Sequence, residues 1–115
     1  MKLGERDKAY LWDMLQACRD IVVFTGDVDY GAFVTDRKLV LAVERCLEII
    51  GEAAARLSPG FRDAHDAIPW QNVRGMRNFL AHEYGRIDHE IIHTTAVERI
   101  PELMEQVEML LDESE

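Results

Sequence analysis

Thr35-Asp36-Arg37-Lys38-Leu39-Val40-Leu41-Ala42-Val43-Glu44-Arg45-Cys46-Leu47-Glu48-Ile49-Ile50-Gly51-Glu52-Ala53-Ala54-Ala55-Arg56-Leu57 is the stretch whose pattern decides the fold. Leu39, Val43, Cys46, Ile50, Ala53 and Leu57 recur at alternating steps of four and three, so they line one side of an α-helix. Thr35 or Asp36 is placed to cap its start, and Ser58-Pro59-Gly60 stops it. A seam this narrow packs along a second long helix. Gly51 stands inside the helix, where glycine costs roughly 1 kcal/mol relative to alanine. With Ala53, Ala54 and Ala55 beside it, the expectation is that another backbone approaches closely there.

Upstream, Leu11, Leu15, Cys18 and Val22 carry the same periodicity through a helix predicted from about Glu5 to Phe24, ended by Thr25-Gly26-Asp27. Asp27 to Thr35 reads as a linker with room for one helical turn, anchored by Tyr30 and Phe33. Downstream, Phe61 to Asp66 reads as a polar loop. Pro69 suits the first turn of a third helix, predicted to run to Tyr84-Gly85 with Gly85 as its cap. Asp88 caps a fourth helix carrying Ile91, Ile92, Ala96 and Ile100, and Pro101 kinks or divides it. Leu103, Val107, Leu110 and Leu111 continue the stripe to an acidic tail. The predicted fold is an all-α, antiparallel up-and-down bundle of four to five helices, forming one domain over residues 1–115.

The 115 residues include 22 acidic and 13 basic ones, a net charge of −9, so the overall field repels a polyanion and any RNA contact needs a local basic patch. The longest apolar run, Leu39 to Val43, is too short to cross a bilayer, and the first residues lack a signal-peptide core. A cytoplasmic location without membrane contact is expected. Cys18 and Cys46 sit among apolar neighbours and read as buried thiols. Trp12, Met14 and Trp70 read as core residues.

The third helix breaks the rules its neighbours obey. On a wheel of about 100° per residue, Pro69, Val73, Met76 and Leu80 share the core arc, and Arg77 and Tyr84 fall inside or beside it. A guanidinium on a packing face needs a cleft, a buried acid such as Glu44, Glu48 or Glu52, or a subunit interface. His82 lies about 140° from Arg77 on the same wheel. The two converge only if the helix loosens near Ala81–Gly85 or if two copies of the chain face each other. Asn78 shares the face of His82, and Arg74, Arg77 and Arg86 surround it with only Glu83 in opposition.

Histidine moves protons near neutral pH, and arginine presents a planar fork to a phosphoryl group gaining charge. This pairing suits RNA cleavage in which the 2′-hydroxyl is the nucleophile. It calls for no metal or cofactor. His82 would serve as general base or acid and Arg77 would stabilise the pentavalent phosphorus. His89 and His93, four residues apart, could hold a metal, but no third ligand follows at a sensible spacing. They and His65 read as solvated.

Arg77-x-x-x-x-His82-x-Tyr84 resembles the signature of HepT toxins, a branch of the HEPN superfamily. Ile49-Ile50-Gly51-Glu52-Ala53-Ala54, Ile68-Pro69-Trp70, Val73-Arg74-Gly75-Met76-Arg77-Asn78 and Gly85-Arg86-Ile87-Asp88 extend the likeness in the same order. The resemblance implies a helical homodimer with the motif in a cleft between subunits. It implies a metal-independent endoribonuclease toxin in which Arg77 and His82 are catalytic and Asn78 supports them. It further implies an antitoxin partner, a minimal nucleotidyltransferase that transfers AMP to Tyr84. The alternative is a HEPN module that binds a nucleotidyltransferase or a nucleotide without cutting RNA.

Overall fold

The computed structural model describes residues 4–79 and 89–113. Helix α1 (Glu5–Thr25) buries Leu11, Met14, Leu15, Ala17, Cys18 and Ile21. Its last turn closes with the Thr25 hydroxyl donating to the Ile21 carbonyl at 2.8 Å. The short helix α2 (Tyr30–Thr35) fills the expected linker, capped by Asp29, whose side chain accepts from the Ala32 N–H at 2.8 Å. Phe33 anchors it, wholly buried.

Helix α3 (Arg37–Arg56) is the predicted central element. Asp36 caps it by accepting from the Leu39 N–H at 3.1 Å, an arrangement worth about 1 kcal/mol. Val43, Cys46, Ile50 and Ala53 of the predicted seam are buried, as is Leu57 just beyond the helix. The seam packs on α1. Asp7, near the start of α1, accepts from both the N–H and the hydroxyl of Ser58, just past the end of α3, at 2.9 and 2.7 Å. The two helices therefore run antiparallel.

Phe61–Asp66 is not the loop expected. Ser58 caps a further helix, α4 (Pro59–Ala64), with Pro59 in its first turn, and Phe61 enters the core. A six-residue helix is too short to carry a hydrophobic period, so its only signal was the Ser-Pro start. Arg62 returns to α3 and donates to the Ala54 carbonyl at 3.2 Å, satisfying an open helix end.

The third predicted helix changes character early, and its predicted end at Tyr84-Gly85 lies outside the described residues. Helix α5 (Trp70–Gly75) gives way to a 3₁₀ turn, Met76–Phe79, ten residues before Gly85. Gly75, the poorest helix former in the segment, stands at the change. Pro69 is the exposed cap of α5 and not part of its core face, which includes Trp70 and Val73 and is continued by Met76 in the 3₁₀ turn.

The helix expected to be kinked or divided at Pro101 runs on without a division, through a wider turn just before the proline. Helix α6 (His89–Thr94) runs into a π segment, Thr95–Arg99, in which the Ile100 N–H reaches back to the Thr95 carbonyl. Helix α7 (Ile100–Glu113) follows and packs on α1. The extra residue in the π turn accommodates the proline, which has no N–H to continue the α ladder. No strand occurs among the described residues, and none of their helices is long and apolar enough to cross a membrane.

Candidate active site

Arg77 is held from two sides. Upstream, Trp70 anchors α5: its indole Nε1 donates to the His65 carbonyl at 2.9 Å, and its ring lies 6.0 Å from that of Phe61. Val73 and Met76, buried at 2% and 6%, then fix the rotation of the segment and leave Arg77 on its rim. On the other side lies α3. A methyl group placed on Gly51 would stand 2.6 Å from the Arg77 amide nitrogen, 2.8 Å from Arg77 Cβ and 3.0 Å from the Arg74 carbonyl. The close backbone approach expected at Gly51 is thus the approach of the 3₁₀ turn that carries Arg77.

One turn of the same helix supplies the acid. Glu52 Oε1 lies 3.4 Å from Arg77 Nη1, with the two side chains 47% and 37% exposed. Of the three acids considered from sequence, Glu48 pairs with Arg45 and Glu44 turns to a different cavity, which leaves Glu52. A pair this open is worth about 1 kcal/mol or less, so it aims the guanidinium more than it stabilises the fold.

Glu52 also borders a cleft of about 230 Å³ lined by Tyr10, Asp13, Arg45 and Arg56. Arg56, and Arg6 stacked 5.7 Å from the Tyr10 ring centre, hold the Tyr10 phenol below its ordinary value. The sequence reading did not single out Tyr10, Arg45 or Arg56. Arg45, Glu52 and Arg56 share a helix face by spacing, but Tyr10 reaches them only through the α1–α3 packing. In the cleft lining Arg45 and Arg56 balance Asp13 and Glu52, and Arg77 joins this group of paired charges through Glu52.

Arg74 is half-buried, and its Nε is closed off without a hydrogen-bond partner among the described residues. Asn78 is exposed on the 3₁₀ turn beside Arg77. The structure therefore brings Arg74, Arg77 and Asn78 together on one short segment. His82, Tyr84 and Arg86 lie outside the described residues, as does the predicted loosening near Ala81–Gly85.

His65 and His93 take structural positions, contrary to the solvated role expected, whereas His89 is half-buried at the wall of a cavity. His65 stacks on Phe61 at 4.4 Å and points Nδ1 at the Phe61 carbonyl, 3.0 Å away. His93 packs against Tyr30 and Phe33 at 5.4 and 5.2 Å, with Nε2 3.5 Å from the Val28 carbonyl. No group of three or more metal-ligating side chains is assembled among the described residues. Trp12 is 44% exposed and not a core residue, whereas Met14 and Trp70 are buried. Cys18 and Cys46 are buried free thiols, and burial pushes the Cys18 pKa up to about 12.

Together these features define an all-α protein that presents an arginine suited to a phosphoryl group at the edge of a surface cleft. The chain belongs to the ribonuclease HepT-like family, which matches it over residues 14–110. A Methanocaldococcus jannaschii protein named "Putative RNase" is 37% identical over 109 residues, covering 94% of this chain and 100% of that protein. A Thermococcus cleftensis protein named "Probable ribonuclease HepT" is 37% identical over 110 residues, covering 96% and 98%. A third, named "Putative RNase", from Caldanaerobacter subterraneus, is 39% identical over 104 residues, covering 90% and 93%. No solved structure matches. The chain is accordingly an enzyme of the ribonuclease class.

Proposed function

We propose that the chain is a metal-independent endoribonuclease toxin of a toxin–antitoxin pair, active as a homodimer. The observation that carries this reading is Arg77, seated against Gly51 and aimed by Glu52 at the edge of a surface cleft in a ribonuclease-family chain. In the proposed reaction the 2′-hydroxyl loses its proton to His82 and attacks the adjacent phosphorus. The P–O2′ bond forms, the P–O5′ bond breaks, and the departing 5′ oxygen takes a proton. A two-fold dimer would supply a second His82 for that last transfer. Arg77 stabilises the charge that builds on the phosphorane, where a preorganised donor is most effective. Asn78 supports this geometry, and Arg74 and Arg86 hold flanking phosphates. The products are a 2′,3′-cyclic phosphate and a 5′-hydroxyl.

The partner in this reading is a minimal nucleotidyltransferase that transfers AMP to Tyr84, placing a bulky anion beside the catalytic arginine. Cleavage of RNA by wild type and Arg77→Ala proteins, with analysis of the product ends, tests the enzyme. Arg77→Ala should lose about 100-fold or more in rate, the typical effect of removing one transition-state donor. Equal cleavage by both proteins, or 3′-hydroxyl products, overturns the mechanism. Intact mass after co-expression with the nucleotidyltransferase tests the modification: a chain that gains no AMP and keeps its toxicity removes the switch.

A further inference from the structure

Glu44 is the one charged side chain buried among the described residues, at 6% exposure. It opens into a cavity of about 480 Å³ at the corner of α2, α3 and the start of α6. Val34, Val40 and Leu41 form apolar walls, while Arg37 and His89 flank the carboxyl. Among the described residues nothing hydrogen-bonds to Glu44, and no ion pair satisfies it. Burial raises its pKa, and the charges of His89 and Arg37 pull it partly back. A carboxyl in this position costs stability, and an apolar residue of similar volume would fold at least as well. A ligand in the cavity can take the place of water as donor to the carboxyl.

The shape and polarity of the cavity select the donor. A carboxyl accepts two hydrogen bonds side by side, so its best partner is a flat edge with two adjacent N–H groups. Guanine offers N1–H and the 2-amino group in that arrangement, with the O6 carbonyl next to them. Arg37 or His89 stands beside the carboxyl to donate to O6. Adenine and cytosine each present a ring-nitrogen acceptor beside a single amine, and uracil presents one N–H between two carbonyls. All three would turn a lone pair toward Glu44. The apolar walls suit a base face, and the volume lies in the ordinary range for small-ligand pockets.

The location fits as well. Glu44 and Glu52 lie eight residues apart on α3, about 12 Å along its axis and on adjacent faces. Glu52 holds Arg77, so the same helix carries both the cavity and the partner of the arginine. We infer that the Glu44–Arg37–His89 cavity is a guanine-binding subsite that sets the base preference of cleavage near the scissile phosphate. Its place in an RNA path rests on the ribonuclease reading; its affinity for guanine does not.

Two measurements separate these ideas. The first is binding of guanosine, inosine and adenosine 5′-monophosphates to the full chain, followed by NMR titration. Guanosine monophosphate should bind about tenfold or more tighter than the adenosine nucleotide, with inosine, which lacks the 2-amino group, between them. Glu44→Gln keeps the side-chain volume, removes a buried charge and should fold, and it should abolish the difference. The second is cleavage of oligonucleotides that vary only in the bases flanking one cleavage position, for wild type and Glu44→Gln. Wild type should prefer a guanine at one flanking position and the variant should not. Equal binding of the guanosine and adenosine nucleotides, or a guanine preference that survives Glu44→Gln, overturns the subsite. Selective guanine binding by a chain that cuts no RNA keeps the subsite and removes the ribonuclease reading. Cleavage without base preference, together with unselective binding, does the reverse.

Discussion

Gly51→Ala probes the contact on which the site depends. The added methyl would sit 2.6 Å from the Arg77 amide nitrogen and 2.8 Å from its Cβ. An ordinary contact begins near 3.5 Å, so the turn carrying Arg77 must retreat by about 1 Å. Alanine improves α3 by roughly 0.5–1 kcal/mol through helix propensity. Overpacking opposes this by roughly 1–3 kcal/mol. The net loss of stability is therefore about 0–2.5 kcal/mol, lowering the melting temperature by roughly 10 °C at the upper end. Activity should respond more strongly, because a misplacement of about 1 Å can cost on the order of 100-fold. Cleavage is measured at a temperature where circular dichroism shows the variant fully folded, beside a thermal melt. A variant with raised melting temperature and wild-type cleavage would refute the reasoning: either the backbones do not meet at Gly51 or the position of Arg77 does not govern the chemistry.

Other expectations follow from the same structure. Glu52→Gln should change stability by less than about 1 kcal/mol, since the pair is half-exposed. It should nevertheless slow cleavage by on the order of tenfold by releasing the guanidinium, and unchanged turnover would remove Glu52 as a positioning residue. Trp70→Phe loses the hydrogen bond to the His65 carbonyl and should cost roughly 1–2 kcal/mol in urea unfolding, whereas Trp12→Phe at an exposed site should stay within about 0.5 kcal/mol; equal effects would contradict the two placements. Cys18 is held neutral in the fold, with its pKa raised from 9.0 to about 12. The unfolded chain therefore releases the thiol proton first, and stability should fall as pH rises across that window. Cys18→Ala should flatten this part of the pH–stability curve, and an unchanged slope would count against the buried thiol.

Where each part of the fold was legible in the sequence follows from the physics of its signal. α1 and α3 announce themselves because a long helix repeats its apolar spacing several times, and the Gly51 cluster marked the close approach because only a missing Cβ permits it. α2 and α4 are each six residues, less than two turns, so they have caps but no period. The end of α5 escaped because Val73 and Met76 are three apart, a spacing that α and 3₁₀ turns share. Pro101 was legible as a disturbance, but whether the chain kinks or widens depends on the packing of α7 against α1.

The site divides in the same way. Arg77 stood out as a charge on an apolar arc, and three acids on α3 were open as partners. Their spacing of four makes them near-equivalent along one helix; tertiary packing separates them. Glu48 is taken by Arg45, Glu44 faces the cavity beside His89, and only Glu52 follows directly on the glycine against which the Arg77 backbone rests. Gly51 and Glu52 thus act as one device, the first admitting the turn and the second orienting its side chain. Its two halves should be separable: Gly51→Ala displaces the backbone and Glu52→Gln frees only the guanidinium. In the double variant their effects on cleavage should combine to less than the sum of their activation free energies, because a turn already displaced has little left to lose from its acid.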